Sequence, residues 1–328
     1  MQIVHAPTEI AGQIGILCEG LRAKGHHASG YNWFNSFLNY SGKILNTDAY
    51  ELAKLINTLA KYSDIIHFHN GNTLLLEYAD LAHFHKMKTK MVMHHWGNDV
   101  RSKLKVKKLN PYSLPTSYLR DSEIHKRLFL LAKYIDTAIV QDYEVYLYVK
   151  DYYKNVHILP LACNVGNFPV AYPDPGRQIP KVIHAPTNRA FKGTAYVEEA
   201  VAKLQPQTAF IYQTVEKMSH DAAIKAYLEA DIVIDQLLCG TYGMLSVEAM
   251  AMGKVVVAFI REDVKNHLPA DLPIVNAKPE TLSEVLAGLI NNPARRAQLG
   301  RAGREYVMKH HEIGVVTDQL CRIYQQLL

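Results

Sequence analysis

The sequence predicts an α/β protein of two doubly wound parallel-sheet halves facing a central cleft, and three observations carry that prediction. Short apolar, β-rich runs alternate with helix-length stretches along the whole chain. The alternation breaks once, at 164–180, "NVGNFPVAYPDPGRQIP". The tetrapeptide HAPT occurs twice, in "IVHAPTEIAG" (3–12) and "VIHAPTNRAFKG" (182–193), each time after an apolar strand and before a glycine and a helix. Strands bounded on both sides by helices form parallel βαβ units, which are buried on both faces and so read as continuous apolar runs.

Taken in order, the first half offers the strands "QIVHAP", "DIIHFHN", "TKMVMHH", "DTAIVQD" and "VHILPLA", with helices over 12–24 and 48–62. The Pro-, Gly- and Asn-dense break has neither helical nor strand periodicity and reads as the linker. The second half repeats the scheme with "PKVIHAPT", "QTAFIYQ", "DIVIDQL", "KVVVAFI" and "LPIVNA", and with helices over 193–204, 219–230, 244–253 and 280–290. The expected division is 1–165, 176–305 and a terminal helical segment 306–328 that crosses back over the first half. Both HAPT loops then lie at strand carboxyl ends, where open α/β sheets bind ligands.

The totals fit this plan. A chain of 328 residues, 48% of them hydrophobic, can bury a core in each of two ordinary domains. The net charge of +5 is too mild for a dedicated nucleic-acid binder and favours anionic ligands in general. Cys18, Cys163, Cys239 and Cys321 lie far apart with no CxxC pair, which reads as core thiols of a reducing compartment. The chain opens on a strand rather than a signal peptide, and no apolar run approaches the roughly 20 residues that span a bilayer. The expectation is a cytoplasmic protein. GxGxxG after either first strand, GxxxxGK[ST], GxSxG and HExxH are all missing, so dehydrogenase, P-loop, serine hydrolase and zincin chemistries lack their residues.

Two segments carry candidate chemistry. In "PTNRAFKGT" (186–194), Asn188, Arg189 and Lys192 precede a glycine that opens a helix, so that two cations and helix N-terminal amides point at one place. That is a diphosphate cradle; the alternative is a solvated basic turn. In "CGTYGMLSVEAMAMGKVVV" (239–257), a glycine-spaced loop leads into an apolar helix with one acid, Glu248, about one turn from its start. A carboxylate there can accept two hydroxyls of a sugar ring at roughly 1.5–3 kcal/mol per charge-assisted bond. The alternative is a helix-dipole partner or an ion pair with Arg189 or Lys192.

The cationic "R…KG" loop and the block "G-x-Y-G-x-x-x-x-E-A-M-A-x-G-K-x-V-V" resemble the GT-B glycosyltransferases of family 4. The likeness extends to "DIIHFHN", "HHWGNDVR" and "GREYVMKHH", and so over most of the chain. It implies two Rossmann-like domains, an acceptor site in the first, a nucleotide-sugar site in the second, and transfer with retention and no bound metal. By the same resemblance Glu248 binds the donor ribose, Arg189 and Lys192 bind the diphosphate, and the amides of Tyr242, Gly243, Met244 and Leu245 support phosphate and sugar. Gly12 and Gln13 of "GQIG" stand where the family has its glycine-rich loop under the donor. The strand end "KMVMHHWGNDV" places His95, then His94, nearest the reacting carbon, with Trp96 as an alternative occupant and Asp99–Arg101 as a structural pair. Two departures stand out: Gly240 occupies the position of the family's usual first glutamate, and Thr187 that of its usual arginine.

The histidines His67, His69, His83, His85, His94 and His95 raise a metal site, which is set aside because no Cys or carboxylate shows matching spacing and because His67 and His69 are expected on opposite faces of their strand. No cofactor is expected. The aromatic stretch 30–40 reads as core packing or an acceptor loop. The basic stretch 101–108, with Lys86, Lys88 and Lys90, reads as a solvated face or a peripheral contact with anionic lipid. The sequence therefore predicts a metal-independent retaining transferase that moves a sugar from a nucleotide-diphosphate donor, UDP-sugar foremost, to a hydroxyl acceptor. A silent nucleotide-sugar binder and a GT-B epimerase are the rivals.

Overall fold

The computed structural model describes residues 1–34, 43–115 and 119–328; positions 35–40 of the aromatic stretch lie outside them. Among the described residues the first sheet contains β1 (Gln2–Ala6), β2 (His27–Asn32), β3 (Leu45–Asn46), β4 (Ile65–His69), β5 (Lys90–His95), β6 (Thr137–Val140) and β7 (Asn155–Ile158), in the order β3-β2-β1-β4-β5-β6-β7. The second contains β8 (Lys181–His184), β9 (Ile211–Thr214), β10 (Ile232–Ile234), β11 (Val255–Ala258) and β12 (Val275–Asn276), in the order β12-β11-β10-β8-β9. Every pairing in both sheets is parallel. Helices return the chain between strands and cover both faces, so the interior strands β4 and β11 are buried along their whole length.

The last helix, Ile313–Leu327, lies on the first domain. Its Val316, Leu320, Ile323 and Tyr324 join Ile3, Ile14, Leu17 and Val92 in one core cluster against the Gln13–Ala23 helix. The close approach needs Gly20, where a Cβ would stand 2.1 Å from Thr317 Oγ1. Between the sheets, 164–180 carries one short 3-10 turn, Val165–Asn167, and no strand.

The two domains also meet directly. Leu238 and Cys239 of the second pack into the core of the first, Asn110 Nδ2 donates to both their carbonyls (2.9 and 3.1 Å), and Thr241 Oγ1 donates to Asp142 (2.9 Å). The pair expected between Asp99 and Arg101 does not form. Arg101 is buried against Glu144 and Asp99 serves His95. The basic stretch 101–108 is accordingly not one solvated face, because Arg101 turns inward to meet the buried carboxylate while Lys103, Lys107 and Lys108 stay exposed.

Candidate active site

The segments that follow the strand carboxyl ends of both sheets line a cavity of about 330 Å³. Glu9, Asn32 and Asn46 face it from the first domain, and Lys192, His220 and Glu248 from the second. A second recess of about 570 Å³ adjoins it and shares His220, Met244 and Glu248; Gly12 and Asn164 also line it.

Glu248 sits in the Met244–Ala251 helix with 4% exposure, and its Oε1 lies 2.7 Å from His220 Nε2 at the start of the His220–Glu229 helix. Burial alone would pull the His220 pKa down, but the hydrogen bond and charge of Glu248 outweigh it and hold it above its ordinary value. Neither Arg189 nor Lys192, the partners expected from sequence, pairs with this acid. Arg189 is held by Glu198 and Glu216 and Lys192 by Asp235, whereas His220, the first residue of the helix that follows β9, reaches the acid.

Lys192 Nζ reaches into the same cavity from the Arg189–Lys192 helical turn and bonds Asp235 Oδ1 (2.5 Å) and Gln236 Oε1 (3.1 Å). Asp235 is fully buried after β10, and its other oxygen accepts from the Gly243 amide (3.1 Å) and Ser246 Oγ (2.7 Å). Burial works against its charge, yet Lys192 outweighs burial and keeps Asp235 below the usual carboxylate range. The acid thus anchors both the lysine and the start of the Met244–Ala251 helix.

Several predicted residues are placed elsewhere. Arg189 is half exposed, bonded to Glu198 and to Glu216 (2.9 Å), and lines a separate recess with Lys217 and Ser219. The Asn188 side chain is spent capping its own turn through the Phe191 amide (3.0 Å). Gln13 is buried and locks onto the backbone of Ala162 at both ends of its amide (2.9 and 2.8 Å). Gly12 does border the cleft, in the left-handed region at φ 76°, but the amides it introduces are taken: Glu9 accepts from Ile14 (3.1 Å) and Gly15 (3.0 Å). Burial pushes the Glu9 carboxyl up to about 7 despite those amides.

The Gly243 amide likewise serves Asp235, and the Tyr242 hydroxyl points away to Tyr306 and His311. Met244 and Leu245 line the cavity, and as the first residues of their helix their amides have no intrahelical acceptor. His95, expected nearest the reacting carbon, is fully buried, with Nδ1 on Asp99 (2.6 Å) and Nε2 on Tyr153 (2.8 Å), both inside the first domain. His94 is buried too, stacked on Trp96 at 3.8 Å. Neither imidazole lines the cavity between the domains.

Sequence reasoning passed over Glu9, His220 and Asp235. Glu9 and Asp235 stand just beyond a strand carboxyl end, and that position was the available signal, whereas His220 opens the helix after β9 and carried none.

Comparison with known proteins places this geometry. Residues 198–322 match the family model described as glycosyl transferase-like. The whole chain superposes on sucrose-phosphate synthase (tll1590) from Thermosynechococcus elongatus, with a TM-score of 0.69, 15% identity, and 100% and 99% of the two chains covered. It superposes equally on Anabaena Alr3699/HepE in complex with UDP and glucose, with a TM-score of 0.70, 11% identity and both chains covered to 100%. The chain has the GT-B glycosyltransferase fold. A glycosyltransferase from Rickettsia africae ESF-5 shares that GT-B fold with a TM-score of 0.64, 14% identity, and 99% and 97% covered. No curated protein matches the sequence. Among the described residues no helix of this GT-B chain is long and apolar enough to cross a membrane.

Proposed function

We propose that this GT-B chain transfers a sugar, with retention of anomeric configuration, from a nucleotide-diphosphate donor to a hydroxyl acceptor, UDP-sugar being the leading donor. The observation that carries the reading is the convergence of Lys192 and Glu248 on one cavity between the two sheets. Glu248 takes the ribose hydroxyls, which replace or share the His220 contact, and Lys192 with the Met244 and Leu245 amides takes the diphosphate. Catalysis then rests on placing the acceptor beside the anomeric carbon and on stabilising the departing diphosphate. The two cavity carboxyls, Glu9 and Glu248, are both engaged, which suits direct front-face transfer with no protein nucleophile. The diphosphate is neutralised without a divalent cation. The acceptor enters from the first-domain side, past Asn32 and Asn46. Contact with an anionic lipid surface, where the acceptor is membrane-borne, falls to the exposed Lys103, Leu104, Lys107 and Lys108.

One observation favours a silent nucleotide-sugar binder instead. Gly240 has φ 86°, and a Cβ there would stand 2.6 Å from Arg261 Cγ, so an acid cannot occupy that position without displacing Arg261. The deciding experiment is a thermal-shift series against UDP, GDP, ADP and TDP without added Mg²⁺ or Mn²⁺, followed by incubation with the matching labelled nucleotide sugars. A shift with UDP, corresponding to about 2.7 kcal/mol at a hundredfold excess over Kd, together with released UDP supports the transferase. A shift without turnover supports the binder, and no shift with any nucleotide overturns both.

A further inference from the structure

The first sheet carries a group of side chains that this reaction does not use. His5 on β1, His67 and His69 on β4 and His94 on β5 all project from one face of the sheet, each with at most 1% exposure. The expectation that His67 and His69 diverge is wrong: alternation puts residues two apart on the same face, and the two rings stack 4.5 Å apart at 8°. Register adds the others, with His5 opposite His67 and His69 opposite His94.

We propose that His5, His67 and His69 form a buried binding site for a late first-row divalent transition-metal ion, with zinc foremost. One ring nitrogen from each lies within 4.8 Å of the other two. Ligand nitrogens about 2.0–2.1 Å from a tetrahedral zinc stand roughly 3.3–3.4 Å apart, so small side-chain shifts close the site. His5 Nδ1 and His69 Nε2 face each other at 3.0 Å, a spacing that one proton or one metal ion can bridge. Two of the three rings, His5 and His67, have in Tyr324 an outer partner of the kind that orients metal-bound imidazoles. Tyr324 OH lies 3.1 Å from His5 Nε2 and 2.6 Å from His67 Nδ1, and His94 Nδ1 lies 3.2 Å from His67 Nε2. An all-imidazole donor set selects zinc, copper or nickel over magnesium and calcium. The ion would tie β1 and β4 to each other and, through Tyr324, to the last helix, apart from the Lys192–Glu248 cavity.

The test is metal analysis of the full chain, both purified from zinc-supplemented growth and refolded with zinc or cobalt(II), because a buried site fills as the chain folds. We expect about one ion per chain, X-ray absorption showing imidazole nitrogens at about 2.0–2.1 Å, and cobalt(II) bands of a four-coordinate site. H69Q should hold at least tenfold less metal while H85Q, an exposed histidine outside the group, stays close to wild type. Wild-type chain that takes up less than about a tenth of an ion by either route overturns the site, as does a metal shell without imidazole or an H69Q variant that folds and retains full occupancy. Should H69Q not fold, the wild-type absorption spectrum decides alone.

Discussion

The two HAPT loops have the same four residues at the same place in the fold and opposite electrostatics. In the first, His5 joins the histidine group, and Glu9, directly after the tetrapeptide, turns its carboxyl onto the Ile14 and Gly15 amides. The helix N-terminus there is filled by the protein's own acid. In the second, His184 donates Nδ1–H to the Ile234 carbonyl (2.9 Å) and accepts from Thr194 (2.9 Å), and the loop goes on to present Lys192 to the cavity. A shared backbone plan thus gives one acidic and one cationic wall. The repeat locates the cleft, and the residues just after it decide which half receives an anion.

The largest expected effect breaks the acidic side. A carboxyl whose folded pKa is about 7, raised from 4.5, binds more protons folded than unfolded, so its contribution is fully present below pH 4.5 and is lost as pH rises to 7. Wild-type chain should lose up to about 3 kcal/mol of unfolding free energy across that window. Urea titrations of Glu9→Gln at both ends should show that slope flattened; an unchanged slope assigns the pH dependence elsewhere.

On the cationic side, Lys192→Met should weaken UDP binding about a hundredfold, the upper end of the roughly 1.5–3 kcal/mol expected of a charged hydrogen bond. It also strands the buried Asp235, so the single variant should unfold earlier. Adding Asp235→Asn should recover stability without recovering affinity, as read by calorimetry on both. Glu248→Ala should follow with a loss of about ten- to thirtyfold in Kd. Unchanged affinity in a destabilised Glu248→Ala chain would return the acid to a structural role with His220.

The smallest effect sharpens the comparison. Arg189 is solvent-facing and already held by Glu198 and Glu216, so Arg189→Ala should change UDP affinity less than about threefold. A tenfold loss by the same calorimetry would move the diphosphate to the outer side of the second HAPT loop.

Much of the fold was legible because parallel strands buried on both faces leave apolar runs: "DIIHFH" became β4 and "KVVVA" β11. β2, "HASGYN", left no such trace. Its inward positions are Ala28, Gly30 and Asn32, and Gly30 is packed so closely by Ile14 and Ile44 that a Cβ would come within 2.7 Å of both. Glu248 was legible as the lone acid in an apolar helix. Its His220 partner was not, because that residue arrives from the start of a different helix.

The sequence by itself determined the parallel α/β order, the two HAPT loops at strand ends, and the acid and the lysine that face one cavity, since these follow from periodicity and residue type along the chain. Only the tertiary structure decided which polar groups remain available to a ligand. His95 is spent on Asp99 and Tyr153, Gln13 on Ala162, and the Gly243 amide on Asp235. Hydrogen bonding saturates at short range, so a side chain's role depends on which distant segment's atoms the fold brings within about 3 Å of it.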